Sequence, residues 1–230
     1  MFEGLLRSLL QSLPRGPSGA RAGIGRKLLA WCALLLISIS ASAYSAPKTL
    51  LVVGDSLSAE YGLARGSGWV ALLEKKLQAS SSDVRIVNAS VSGETTSGGR
   101  TRLPALLARH KPDIVVIELG ANDGLRGLPV AAADANLRAM VSTAKKAGSQ
   151  VLLVGMRIPP NYGRDYAEKF FAMFGRISRD EKVPLAPFML DGVAEKADLF
   201  QADRLHPLAT AHPIILANIW PTLQPLLRAK

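Results

Sequence analysis

The sequence predicts an α/β protein in which a parallel sheet is sandwiched between helices. Two observations carry this prediction. The apolar runs Leu50–Val53, Ile114–Leu119 and Val151–Met156 lack the polar alternation of a half-exposed strand, which suits strands covered on both faces. Between them lie segments with apolar residues at three- and four-residue spacing, as expected of the crossover helices that parallel strands require. No repeat, low-complexity tract or linker divides the chain, so a single domain is expected over residues 44–230.

Each element has its own signature. The first strand ends in Gly54-Asp55-Ser56, and Trp69–Leu77 follows with helical spacing until the polar stretch Ala79–Asp83 stops it. Val84–Asn88 reads as a second strand. Ser92–Thr96 is a turn with cap-forming residues before a helix carrying Leu103, Leu106 and Leu107. The third strand feeds Gly120–Gly124, expected to be a loop, and a helix with Leu137, Met140, Val141 and Ala144 on one face stops at Gly148. Past the fourth strand, Pro159–Gly163 excludes a regular element. Phe170, Phe171, Phe174 and Ile177 mark a further helix and are read as its core face. Val183–Phe188, interrupted by Pro184 and Pro187, is a weaker strand suited to a sheet edge. The last helix, from about Thr210, tolerates Pro213 in its first turn, whereas Pro221 is expected to kink or break it.

The N-terminus reads differently. Arg15, Arg21, Arg26 and Lys27 precede the apolar run Leu28–Ile37, and small residues follow, with Ala41-Ser42-Ala43 fitting a cleavage site. This is the layout of a secretory signal peptide over residues 1–43, cut after Ala43 in preference to Ala46; the run is short for an uncleaved membrane anchor. Of 28 Lys and Arg against 18 Asp and Glu, residues 1–43 hold five of the former (Arg7, Arg15, Arg21, Arg26, Lys27) and one of the latter, Glu3. A net charge of +10 therefore becomes 23 against 17, or +6, after cleavage. The remaining basic residues are dispersed without interleaved aromatics, which argues against a nucleic-acid partner. Cys32, the one cysteine, leaves with the leader, so the mature chain is expected in a bacterial periplasm or exterior without a disulfide.

A serine leaving the carboxyl end of a buried parallel strand stands where ligands bind in open α/β sheets. Ser56 is read as a nucleophile delivered there, or alternatively as a cap on the next helix. A base must then be found among His110, His206 and His212. His110 lies at a helix end ahead of Pro112, and His212 in the first turn of the last helix is assigned no role. His206 follows Asp203 by three residues in a turn, a spacing that lets the carboxylate accept the Nδ1 hydrogen and leaves Nε2 for Ser56. Gly93 can offer an unobstructed backbone N–H and Asn122 a side-chain amide to an oxyanion; otherwise each serves only its own turn. No cysteine or paired histidine suggests zinc, and Asp55 with Asp123 makes a poor hard-cation site, so neither metal nor cofactor is expected.

Gly54-Asp55-Ser56-Leu57-Ser58, Gly93, Gly120-Ala121-Asn122-Asp123 and Asp203-Arg204-Leu205-His206 stand in the order of the four blocks of the SGNH, or GDSL, hydrolases, which the chain resembles from about Thr49 to Leu227. Longer stretches, Arg102–Leu107, Asn122–Gly127 and Arg157–Gly163, look most like the family's bacterial periplasmic esterases. The resemblance implies a flavodoxin-like three-layer α/β/α sandwich with about five parallel strands. It also implies Ser56, His206 and Asp203 as nucleophile, base and orienter, and an oxyanion hole from the Ser56 N–H, the Gly93 N–H and Asn122. Asp123, Gly124, Leu125, Ile158, Pro159 and Tyr162 are implied to border the acyl pocket. Glu60 and Ala121 depart from glycines common in the family.

The expected function is a secreted serine esterase acting on aryl esters, lysophospholipids or acyl thioesters through an acyl-enzyme. Transient contact with a membrane surface goes with a lipid substrate, and no obligate protein partner is indicated. Two alternatives are a carbohydrate O-deacetylase with the same triad and a flavodoxin-like phosphate or nucleotide binder. Leu125 and Ile158 favour longer acyl chains over acetyl, and Asp55 would repel a phosphate in the first loop.

Overall fold

The computed structural model describes residues 47–228. The expected leader and its cleavage site lie outside the described residues. Five parallel strands form one sheet in the order β2-β1-β3-β4-β5: β1 Lys48–Gly54, β2 Val84–Asn88, β3 Ile114–Glu118, β4 Gln150–Val154 and β5 Leu185–Ala186. Register brings Val52 beside Asn88 on one side and Val116 on the other, and Gly54 beside Glu118. β1 and β3 bury nearly every side chain, which explains their unbroken apolar runs, while β2 and β5 are the edges.

Among the described residues, six α-helices accompany the sheet: α1 Trp69–Ala79, α2 Thr96–His110, α3 Ala121–Leu125, α4 Val130–Lys146, α5 Arg164–Glu181 and α6 His212–Arg228. α1 packs against α6, and α4 packs against both α2 and α5, giving the three-layer α/β/α arrangement. Strand order turns back at β1 and β3, whose following segments diverge and open a crevice at the carboxyl edge of the sheet.

Two expectations are corrected. Gly120–Gly124 does not run as a loop: Ala121–Gly124 enter α3, a short helix whose N-cap is Gly120, with φ 122°. Pro221 does not break the last helix, which continues through both Pro221 and Pro225. Pro213, Ala217, Pro221 and Pro225 fall four apart on its exposed face, where a carbonyl without a helical partner can bond water, while Ile215, Ile219 and Leu223 lock the opposite face into the core.

His212, which the sequence leaves without a role, is 1% exposed, and its Nδ1 accepts the Trp69 N–H at 2.9 Å. It thereby satisfies a free donor at the start of α1. Accepting requires the neutral ring at that nitrogen, and burial holds its pKa below the ordinary histidine value. A depressed folded pKa means the unfolded chain binds the proton more readily, so this stabilisation is present above about pH 6.5 and is lost as pH falls. His212→Ala is expected to destabilise the protein by about 1–3 kcal/mol at pH 7.5, and to lessen the fall in Tm between pH 7 and 5; thermal unfolding across that range checks both.

Candidate active site

β1 delivers Ser56 through a turn built by Asp55. The Asp55 Oδ1 accepts the Leu57 N–H at 3.0 Å, and its carbonyl accepts the N–H groups of Ser58 and Ala59. Gly54 is obligatory here, since a Cβ would come within 2.7 Å of Glu118 Oε2 and 2.8 Å of Ser58 Oγ. Ser56 is consequently carried out of the core while Asp55 and Ser58 stay within it.

His206 arrives from the other end of the chain. Leu208 N–H bonds Leu199 C=O and Gln201 N–H bonds His206 C=O, closing the segment into a narrow loop. Gln201 then fastens that loop to the β1–α1 segment through a 2.9 Å bond from Nε2 to the Tyr61 carbonyl. His206 Nε2 lies 2.9 Å from Ser56 Oγ, and its Nδ1 lies 2.6 Å from Asp203 Oδ2. The Leu205 and His206 N–H groups both donate to Asp203 Oδ1. The His206 N–H, the His206 ring and the Leu205 N–H hold the Asp203 pKa down to about 2. An ionised Asp203 can only accept, so Nδ1 carries the ring hydrogen and Nε2 is free to accept from the Ser56 hydroxyl. Tyr61 tilts over the imidazole at 4.4 Å between ring centroids, a contact with no signal in the sequence.

Ser56, Gly93 and Asn122, on the segments that follow β1, β2 and β3, are thus met by Asp203 and His206 from a loop well past β5. Among the described residues, the Ser56 and Gly93 N–H groups are taken up by no acceptor. Gly93 sits at φ 78°, a left-handed conformation that favours glycine, and Arg126 Nη2 holds its carbonyl at 2.9 Å. Asn122 is not free in this structure: Nδ2 donates to the Glu94 carbonyl at 3.0 Å and to Asp55 Oδ2 at 3.2 Å.

Beneath the serine lies a buried carboxyl pair. Glu118 Oε2 accepts the Ser58 hydroxyl at 2.6 Å and the Asp55 N–H at 3.3 Å. Burial pushes Asp55 up to about 6, against the opposing hydrogen bond from Leu57 N–H. Burial also pushes Glu118 well above the usual carboxylate range, and the neighbouring Asp55 charge adds to the rise.

A cavity of about 760 Å³ opens from the serine. Leu57, Met156, Ile158, Phe171, Phe188 and Leu190 give it an apolar wall. Leu125, Ile158 and Pro159 line it. Asp123, Gly124 and Tyr162 do not. Asp123 is buried and accepts the Thr96 N–H and hydroxyl at 2.9 and 2.6 Å, fastening α3 to the start of α2. Gly124 is packed beneath the wall, where a Cβ would meet Ile158 Cγ2 at 2.4 Å. Tyr162 is 38% exposed on a 3-10 turn. Phe171 is also reassigned: it is half-buried at the cavity, with Arg157 stacked over its ring at 3.8 Å, while Phe170, Phe174 and Ile177 form the core face.

A three-layer α/β fold that brings a serine, a histidine and an aspartate together beside an apolar cavity describes a carboxylic ester hydrolase, and comparison with known proteins agrees. The model of the GDSL-like lipase/acylhydrolase family matches residues 52–214, and the chain belongs to that family. It is 51% identical over 201 residues to esterase TesA of Pseudomonas aeruginosa, covering 87% of this chain and 98% of the relative. It is 42% identical over 193 residues to thioesterase 1/protease 1/lysophospholipase L1 of Escherichia coli K12, covering 84% and 90%. Among solved structures, the psychrotrophic esterase EstA of a Pseudoalteromonas species, inhibited by monoethylphosphonate, superposes with a TM-score of 0.75 at 44% identity, over 79% of this chain and 100% of that one.

The buried pair makes stability depend on pH. A carboxyl whose folded pKa is raised binds its proton more tightly when folded, so its contribution is full below about pH 4.3 and is lost as pH rises through the folded value. Glu118→Gln keeps an acceptor for Ser58 and removes the ionisation. Its Tm is expected to fall less than that of the wild-type protein between pH 6 and 9, as measured by thermal unfolding.

Proposed function

We propose that this esterase works through an acyl-enzyme on Ser56. The observation that carries the reading is the relay Ser56 Oγ–His206 Nε2–Asp203, with contacts of 2.9 and 2.6 Å. His206 Nε2 takes the serine proton as Oγ attacks the carbonyl carbon, and Asp203 holds the imidazolium that results. The Ser56 and Gly93 N–H groups receive the oxyanion. Asn122 joins them by giving up its longer bond, to Asp55, while Glu94 keeps the amide in place. His206 next protonates the departing alkoxide or thiolate, and water activated by the same ring releases the acid.

The cavity supports esters of medium or long acyl chains, since an acetyl group would leave most of its 760 Å³ and most of its apolar wall unoccupied. This disfavours a carbohydrate O-deacetylase. The similarity to a protein named as thioesterase and lysophospholipase supports lysophospholipids and acyl thioesters as candidate substrates. Export is part of the proposal and is supported by the basic, apolar and small-residue pattern of residues 1–43; sequencing the N-terminus of the mature protein tests it.

Ser56→Ala is expected to lower kcat for a nitrophenyl ester by at least about 10⁴-fold with Tm retained. A phosphonate ester is expected to modify Ser56 in the wild-type protein, read by mass spectrometry, and undiminished turnover in the variant would sink the mechanism. Across nitrophenyl esters of rising chain length, kcat/KM is expected to peak beyond butyrate, and a maximum at acetate would favour the deacetylase reading.

A further inference from the structure

Five described residues other than glycine hold a positive φ: Glu60, Ser81, Lys111, Lys182 and Arg204. A side chain in this region is strained against its own backbone, and glycine avoids the strain. Each has a local reason in the backbone. Lys111 and Lys182 close the C-termini of α2 and α5, and Ser81 follows the end of α1, where a left-handed residue helps satisfy the last carbonyls. Glu60 accepts the N–H groups of Gly66 and Gly68 with its carboxylate.

Arg204 turns the chain so that its N–H donates to the Gln201 carbonyl at 2.9 Å and the Leu205 and His206 N–H groups reach Asp203 Oδ1, but its side chain takes no part in that turn. It stands at φ 57° between Asp203 and His206, and its guanidinium forms no hydrogen bond or ion pair with any described residue. It does line the cavity that holds Ser56 and His206. The other charges there leave it uncompensated. Arg164 pairs with Glu168 at 2.8 Å, Arg157 lies over the Phe171 ring, and Glu195 comes within ion-pair distance of neither Arg157 nor Arg204.

Its place in the turn indicates which half of a substrate it meets. His206 must pass a proton to the departing oxygen or sulfur, so the alcohol or thiol half of the substrate leaves beside His206, two residues from Arg204. The acyl half has the apolar wall of Met156, Ile158 and Phe171. Resting on the ester-hydrolase reading above, we propose that Arg204 is a specificity-determining residue that receives a phosphate or phosphodiester carried by the leaving group. A guanidinium suits this because its planar fork can donate two hydrogen bonds to one phosphate.

The test compares one acyl chain on three leaving groups: glycerol as a monoacylglycerol, glycerol phosphate as a lysophosphatidate, and coenzyme A. The readout is kcat/KM for each phosphate-bearing substrate divided by that for the monoacylglycerol. Arg204→Gln is expected to lower this ratio by about three- to tenfold, with Arg204→Lys, which keeps the charge without the fork, in between. Added salt is expected to lower the ratio for the wild-type protein. A loss with both substrates marks recognition of the shared phosphate, and a loss with one alone assigns the contact to the lipid headgroup or to coenzyme A. Arg204→Gly removes strain and charge together, so its Tm is expected to rise while the ratio falls, which separates lost recognition from a damaged fold. Ratios unchanged in Arg204→Gln overturn the proposal. Failure of the wild-type protein to cleave the monoacylglycerol or any nitrophenyl ester would overturn the hydrolase reading instead.

Discussion

The buried carboxyl of Glu118 is the junction on which the site depends. It ends β3 directly beside Gly54 of β1 and accepts from both the Asp55 backbone and the Ser58 hydroxyl. Ser58 Oγ in turn accepts the Trp69 indole N–H at 3.0 Å, and the Trp69 backbone N–H reaches His212 at the start of α6. One chain of hydrogen bonds therefore runs from the middle of the sheet, under the serine, to the helix that follows the His206 turn. Without water, each of these groups needs its partner, so the network allows few alternative arrangements of the turn above it.

That network sets the floor of the site, and topology brings in its walls. With the order β2-β1-β3-β4-β5, the segments after β1 and β3 part at the sheet edge, so Ser56 and Asn122 face one crevice although 66 positions separate them. His206 comes from a segment outside the sheet and depends on side-chain fastening, with Gln201 as the principal tie. A Cβ on Gly62 would lie 2.1 Å from Gln201 Oε1, so the β1–α1 segment must be bare where the two loops cross.

Much of this was legible because the signals are local. Runs such as Ile114–Ile117 announce strands buried on both faces, and the Asp203-x-x-His206 spacing announces a carboxylate that can reach an imidazole within one turn. Asp123 and Gly124 fall outside the cavity because adjacency to Asn122 does not say which way a helix turns its residues: in α3 one bonds the first turn of α2 and the other packs against Ile158. Phe171 shares the apolar character of its core neighbours Phe170 and Phe174, yet its position on the helix turns it toward the cavity. Pro221 looked like a break because the cost of a missing helical hydrogen bond depends on whether water can reach the freed carbonyl, which only the packed helix reveals.

The sequence by itself determined the alternation of strands and helices, the strand-end placement of Ser56 and the pairing of Asp203 with His206. All of these follow from spacing within one element or one turn. Only the tertiary structure decided that Ser56 and His206 meet at 2.9 Å, that Asn122 is engaged with Asp55 and Glu94, and that Tyr61 covers the imidazole. It also decided that Glu118 is a buried acid beneath the nucleophile, although in the sequence it is one more charge at the end of an apolar run. Such contacts join positions up to 150 residues apart, and their energies depend on burial and on which partners packing leaves available, quantities that no local pattern encodes.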